Sequence, residues 1–223
     1  MRKNQEFPKN PRTTGLILSK MYDVILSQSA IKLLGKLEKD SLPKGFYLAG
    51  GTALALWFGH RKSVDLDFFT PDYFSETQWQ QKLKKELDLR ITYADWQTIV
   101  GFVGNTKFSL FGYKYKLLNE LTPWKNINVA GLSDLSAMKF DTVTKRGTKR
   151  DFIDIYFLSK KFSLQKLFEF YGKKYGNLED MKLILKKALL YFDEADGDEM
   201  PEMLVDVAWK DVKNYFLSEV RKL

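Results

Sequence analysis

The chain has no cysteine, which closes off disulfides, thiol chemistry and any cysteine-ligated metal site. It has a single histidine, His60, so a zinc centre or a serine–histidine triad would rest on that one ring. No apolar run is long enough to cross a bilayer, and the opening residues MRKNQEFPKNPRTTG lack the apolar core of a signal peptide. The expectation is a soluble, cytoplasmic protein with no membrane contact. No internal repeat is found. Acids are the minority charge, 28 against 36 basic residues, and the net charge of +8 suits a polyanionic partner or simply solvated lysine faces.

What is present belongs to an ordered globular protein. The 223 residues are 44% apolar and 15% aromatic, enough for a sizeable core and for one or two domains. Residues 1–15 are polar, carry Pro8 and Pro11, and read as a loose arm. A helix with Ile31, Leu33, Leu34 and Leu37 on its apolar side follows and is expected to end near Asp40. FYLAG reads as a short strand, Gly50-Gly51 as a turn and TALALWFG as a short helix. SVDLDFF reads as a strand, and SETQ as a capping box opening the next helix. LRITYA, TIVGFV and TKFSLFGY read as three strands, the last two joined at Gly104-Asn105. Beyond INVAG the pattern turns helical. Ser133 and Asp134 are expected to cap a helix reaching about Arg146, KRDFIDIYFLSKK forms a second, and further helical patterns cover 163–173, 178–193 and 203–222. The acidic DEADGDEMPEM between the last two reads as a loop. The layout predicts an arm at 1–15, an α/β domain at 16–130 and a helical domain at 131–223.

Asp65 and Asp67 break an apolar run and, two apart on a strand, share one face about 7 Å from each other. Alone, such a pair fits a wet edge strand. Here it follows a Gly-Gly turn whose free backbone N–H groups form a phosphate cradle, with the Thr52 hydroxyl beside it. A phosphate cradle and a carboxylate pair suit Mg²⁺, with Mn²⁺ as the alternative ion, held between aspartates and phosphate oxygens. Arg61 and Ser63, just before the acidic strand, would contact phosphate or brace the loop. Asp151 and Asp154 lie three apart on an otherwise apolar helix, where a buried carboxylate needs a partner such as Lys139. A structural ion pair is a serious rival reading for Asp151 and a lesser one for Asp154. Lys145, Arg146, Lys149 and Arg150 form the densest basic stretch and suit RNA or triphosphate, or a solvated helix end. His60 reads as structural.

The segments YLAGGTALAL…GHRKSVDLDFF, LSDLSAMKFDTVTKRGTKRDFIDIYFL and MLVDVAWKDVKNYF resemble the AbiEii-type nucleotidyltransferase toxins, within the polymerase-β-like superfamily. The resemblance spans about residues 30–220. It implies an α+β fold, a mixed nucleotidyltransferase sheet with helices followed by a C-terminal helical domain. It implies a nucleoside triphosphate as substrate, with Gly50, Gly51 and Thr52 as the nucleotide-phosphate turn, Asp65 and Asp67 as metal ligands, and Lys139 and Asp154 as the essential pair of the helical half. It further implies a tRNA 3′ end as acceptor and a type IV toxin whose antitoxin acts without an obligatory stable complex. A protein hydroxyl as acceptor, as in AMPylation, and a degenerate nucleotide or nucleic-acid binder are the alternatives. One departure stands out: a third carboxylate is expected on a later strand, and TKFSLFGY offers only Ser109, with Asp95 in an expected turn.

Overall fold

The computed structural model describes residues 21–37 and 41–223, so the expected N-terminal arm and Asp40 itself lie outside the described residues. The helix expected to end near Asp40 ends at Lys36, with Leu37 already extended. Helix α1 (Gln28–Lys36) is capped by the Ser27 hydroxyl, which accepts the Ala30 N–H, and it turns Ala30, Leu33 and Leu34 inward. Strand β1 (Tyr47–Leu48) runs into α2 (Gly50–Phe58), which ends where Gly59 takes a left-handed φ of 63°. Strand β2 (Leu66–Thr70) begins one residue after Asp65, so the expected strand SVDLDFF is shorter than its apolar pattern. Helix α3 (Glu76–Leu87) has Ser75 at its N-cap without the expected capping box, since the Ser75 side chain makes no cap hydrogen bond; the neighbouring Glu76 carboxylate accepts the Gln97 backbone N–H.

Strands β3 (Arg90–Asp95), β4 (Thr98–Val103) and β5 (Thr106–Gly112) form an antiparallel meander, and β6 (Thr122–Trp124) pairs with β7 (Ile127–Val129). All seven join one mixed sheet in the order β3-β4-β5-β2-β1-β7-β6. The parallel pairings are β2 with β5 and β1 with β7. The burial pattern of β2 alternates: Leu66, Phe68 and Thr70 point into the core, while Asp67 and Phe69 face the other way. Phe68 and Phe108 pack at 5.5 Å on the buried side, each worth about 1.5–3 kcal/mol of burial. That buried layer holds β2 rigid while its opposite face stays open for chemistry.

After β7 come α4 (Leu132–Lys145), α5 (Lys149–Ser159), α6 (Leu164–Tyr175), α7 (Leu178–Ala188), α8 (Asp193–Gly197) and α9 (Trp209–Glu219). Three expectations need correcting here. Ser133 and Asp134 do not cap α4. Gly131 holds the cap position, and buried Asp134 instead accepts the Leu118 and Asn119 N–H groups and pairs with Lys174 at 2.7 Å. The acidic stretch is not all loop: it forms α8 because Phe192 and Ala195 bury beside α5. The last helix starts at Trp209, since Met203 forms an isolated bridge with Arg61, the chain bends at 204–205, and Ala208 is extended. Helix α4 packs against α2, α5, α6 and α7, and one apolar core passes from the sheet into the helices. No helix among the described residues is long and apolar enough to cross a membrane.

Candidate active site

A cleft of about 330 Å³ opens between the free face of β2 and β5, the start of α2 and the inner side of α4. Asp65, Asp67 and Phe69 line it from β2 and its approach, and Lys107, Ser109 and Phe111 from β5. Alternation dictates both sets, because residues two apart on a strand share a face. The parallel register sets Ser109 directly across from Asp67, where a third carboxylate was sought. Burial pushes the Asp67 carboxyl above its ordinary range, and the neighbouring Asp65 charge adds to this. A Ser109 hydrogen bond and the Lys107 and Lys139 charges pull the other way without winning.

The two glycines at the start of α2 have specific reasons to lack side chains. A Cβ on Gly50, whose φ is +69°, would sit 2.9 Å from an Asp67 carboxylate oxygen. A Cβ on Gly51 would lie 2.5 Å from Arg61 Nη2 and 3.5 Å from Asp154 Oδ2. As first residues of a helix, they offer N–H groups with no acceptor inside it. The Thr52 hydroxyl does not add a free donor to this cradle: it donates to the Asp65 carbonyl and meets the Ser63 hydroxyl at 2.7 Å. Thr52 and Ser63 therefore fix the backbone that presents Asp65.

Behind the cleft lies a charge cluster centred on Asp154, which is fully buried and does not line the cleft. Arg61 clamps it with Nε and Nη2, both at 2.8 Å, His60 Nε2 lies 2.8 Å from Oδ1, and Lys139 Nζ lies 2.9 Å from Oδ2. Lys139 also reaches Asp151 at 2.6 Å, and Asp151 closes a capping box with Thr148 at the start of α5. Burial opposes the Asp154 charge, but Arg61, Lys139 and the His60 hydrogen bond hold its carboxyl well below the usual range. For Lys139, burial is outweighed by the Asp154 and Asp151 charges, so its pKa rises. Burial lowers that of His60, which therefore donates to Asp154 as a neutral ring.

The basic stretch divides. Arg146 and Arg150 line the cleft. Lys145 points along the surface to Asp141 at 2.6 Å, and Lys149 is buried against Asp198, with its ammonium 5.5 Å from the centre of the Trp209 ring. The sequence pattern treats the four alike; the break between α4 and α5, where Arg146 is extended, separates them. Lys107 is the cleft residue that sequence reasoning missed, although it lies two residues from Ser109 on the same face. Asp151, weighed there mainly as an ion-pair partner, also borders the cleft.

The donor set fits a hard divalent cation. Asp65 and Asp67 supply oxygens on one face, neither forms an ion pair with the described residues, and burial and the Asp65 charge disfavour ionised Asp67 unless a cation joins it. No group of three or more His, Cys, Asp or Glu forms a metal cluster among the described residues, so two carboxylates with phosphate oxygens is the arrangement available.

Comparison with known proteins bears on the family and the fold. Residues 32–108 match the family described as nucleotidyl transferase AbiEii toxin, type IV toxin–antitoxin system. An uncharacterized protein of Aquifex aeolicus is 35% identical over 208 residues, covering 88% of this chain and 97% of that relative. Among solved structures, JHP933 from Helicobacter pylori superposes with a TM-score of 0.54 at 17% identity, over 88% of this chain and 92% of that one. MenT4, a nucleotidyltransferase toxin of Mycobacterium tuberculosis, gives 0.53 at 17% identity, over 87% of this chain and 82% of that one. At these identities the structural likeness speaks for the fold.

Proposed function

The chain belongs to the AbiEii family of nucleotidyl transferase toxins, and from that premise we propose that it moves a nucleoside monophosphate from a triphosphate to the 3′ hydroxyl of a tRNA. The acceptor oxygen bonds to the α-phosphorus and its hydroxyl proton passes to water, while the bond from that phosphorus to its bridging oxygen breaks and pyrophosphate leaves. Asp65 and Asp67 would hold Mg²⁺, or Mn²⁺ in its place. When bound, the ion supplies positive charge to the phosphate oxygens. The Gly50 and Gly51 N–H groups face the β- and γ-phosphates, and Thr52 with Ser63 keeps the Asp65 backbone in place. Lys139 spends two of its three N–H donors on Asp151 and Asp154, leaving one for a phosphate oxygen. Asp154 positions Lys139 and Arg61 and touches no substrate. Arg146 and Arg150 give the cleft mouth its positive charge.

The observation that carries this reading is the placement of a carboxylate pair, with no direct ion-pair partner among the described residues, under the Gly-Gly helix start and in one cleft with Lys139. Rate enhancement here comes from positioning and fixed charge. The test is transfer of label from each α-labelled triphosphate in the presence of total cell extract. Label is expected in RNase-sensitive material with the wild type and nowhere with Asp65→Asn/Asp67→Asn. Label resisting RNase and migrating with protein would replace tRNA by a protein acceptor. Inducing the wild type in a bacterium, without an antitoxin, is expected to arrest growth, and inducing the double variant is not. Growth arrest by both would separate toxicity from this site.

A further inference from the structure

The chemically active face of the sheet does not stop at the carboxylates. Cross-strand register continues it outward: Asp67 faces Ser109, Ser109 faces Val100, and Val100 faces Tyr93. The adjacent row runs Lys107, Phe102, Arg90. Directly opposed residues share a face, so all of these stand on the side of Asp67. A bulge between Ile91 and Tyr93 sets Tyr93 opposite Val100. Gly101 makes that bulge possible, since a Cβ there would lie 2.4 Å from the Arg90 carbonyl oxygen.

Helix α3 packs on β3 and β4 from the side of buried Ile99 and Gly101. On the other side Tyr93 is 54% exposed, Val100, Phe102 and Lys107 are half-buried, and the Arg90 guanidinium sits 5.5 Å from the centre of the Phe102 ring. Aromatic faces alternating with cations, in register with a carboxylate pair, exceed what a wet outer ribbon requires. We propose that this face is a stacking platform for the single-stranded 3′ end of an RNA acceptor. The terminal hydroxyl reaches the carboxylates while upstream bases lie on Phe102 and Tyr93. The platform rests on the nucleotidyl-transfer reading above.

Three observations favour RNA over a protein segment. Each ring has a polar or charged group beside it, Asp95 at Tyr93 and Arg90 at Phe102, although Val100 also borders Tyr93, and such exposed rings suit stacked bases. Arg90 and Lys107 flank Phe102 in one row, where a phosphate backbone passing the ring would meet both cations. The span is also right: strands lie about 4.8 Å apart, so Tyr93 stands about 14 Å from Asp67. That length holds about four stacked nucleotides at about 3.4 Å each. Asp95, held by the Tyr93 hydroxyl at 3.1 Å and the Trp96 N–H at 2.7 Å, ends the track with a negative charge that repels phosphate.

The test uses a fluorescent RNA hairpin with a four-nucleotide 3′ overhang, the same hairpin blunt-ended, and calorimetry of Mg²⁺ with triphosphate. The wild type is expected to prefer the overhang about tenfold, and Tyr93→Ala or Phe102→Leu to weaken overhang binding about five- to tenfold, as loss of one stacked base does. Acceptor KM rises by the same factor while kcat, blunt-hairpin binding and triphosphate binding stay unchanged, and Tyr93→Phe restores the affinity. Equal binding of overhang and blunt RNA by the wild type, or wild-type overhang affinity in Tyr93→Ala, overturns the platform. If label reaches only protein, the platform falls and nucleotidyl transfer stands. If the wild type binds no triphosphate with Mg²⁺, the transfer reading falls and takes the platform with it.

Discussion

Two clusters of charge lie side by side around the start of α2, and the chain treats them in opposite ways. Around Asp154 each charge is answered: Arg61 and Lys139 balance Asp154 and Asp151, and neutral His60 donates a further hydrogen bond. Around Asp65 and Asp67 two carboxylates share one face with a serine, and no ion pair answers them among the described residues. A cluster closed upon itself holds structure together. A carboxylate pair without a direct ion-pair partner is arranged for something that arrives. The first is therefore expected to govern stability and the second activity.

The largest effect that tests this division is on folding. Asp154→Asn leaves Arg61 and Lys139 facing each other without their shared counter-charge, and breaking such a buried pair costs about 3–5 kcal/mol. Urea unfolding is expected to show that loss, whereas Asp65→Asn/Asp67→Asn removes a like-charge repulsion and keeps or raises the midpoint. Equal destabilisation by both variants would erase the distinction between the clusters.

A smaller effect follows with pH. The Asp154 carboxyl titrates below its ordinary value near 3.8 in the folded protein, so its stabilisation is complete above that value. It is lost as pH falls through the folded value. Wild-type stability is thus expected to drop steeply below about pH 4. Asp154→Asn, already weakened, should show a shallower drop in the same window. Parallel acid profiles for the two proteins would argue against a strongly depressed Asp154.

The smallest effect separates neighbours in the basic stretch. Arg146→Ala removes a cation from the cleft and is expected to raise the KM for triphosphate or RNA several-fold. Lys145→Ala, which loses only a surface pair with Asp141, should leave kinetics and stability within about a factor of two. Equal losses in both would put the phosphate path outside the cleft.

How much of this was legible beforehand depends on the range of the interaction. Strand and helix types follow from local alternation and periodicity, so the meander over 90–112 and helices α4 to α7 are readable from residue order. The Gly-Gly turn and Asp-x-Asp stand out because they break local apolar patterns. The crowding of Gly50 by Asp67 and of Gly51 by Arg61 was not readable, because it depends on β2 folding back against α2. The Thr52 hydroxyl, expected to face phosphate, is claimed by the Asp65 carbonyl and Ser63 across eleven to thirteen residues. Lys107 entered the cleft only once β5 paired in parallel with β2. Pairing register carries the site, and register is a tertiary fact.

The central claim is that the Asp65–Asp67 pair, which has no direct ion-pair partner among the described residues, holds a divalent ion with a triphosphate. Calorimetry of triphosphate binding with Mg²⁺ and with EDTA, on the wild type and on Asp65→Asn/Asp67→Asn at neutral pH, measures it directly. The wild type should bind tightly only with Mg²⁺, and the double variant, folded to the same midpoint or higher, should show no dependence on the ion. Triphosphate binding that ignores Mg²⁺ in the wild type, or Mg²⁺-dependent binding that survives in the double variant, would contradict the account.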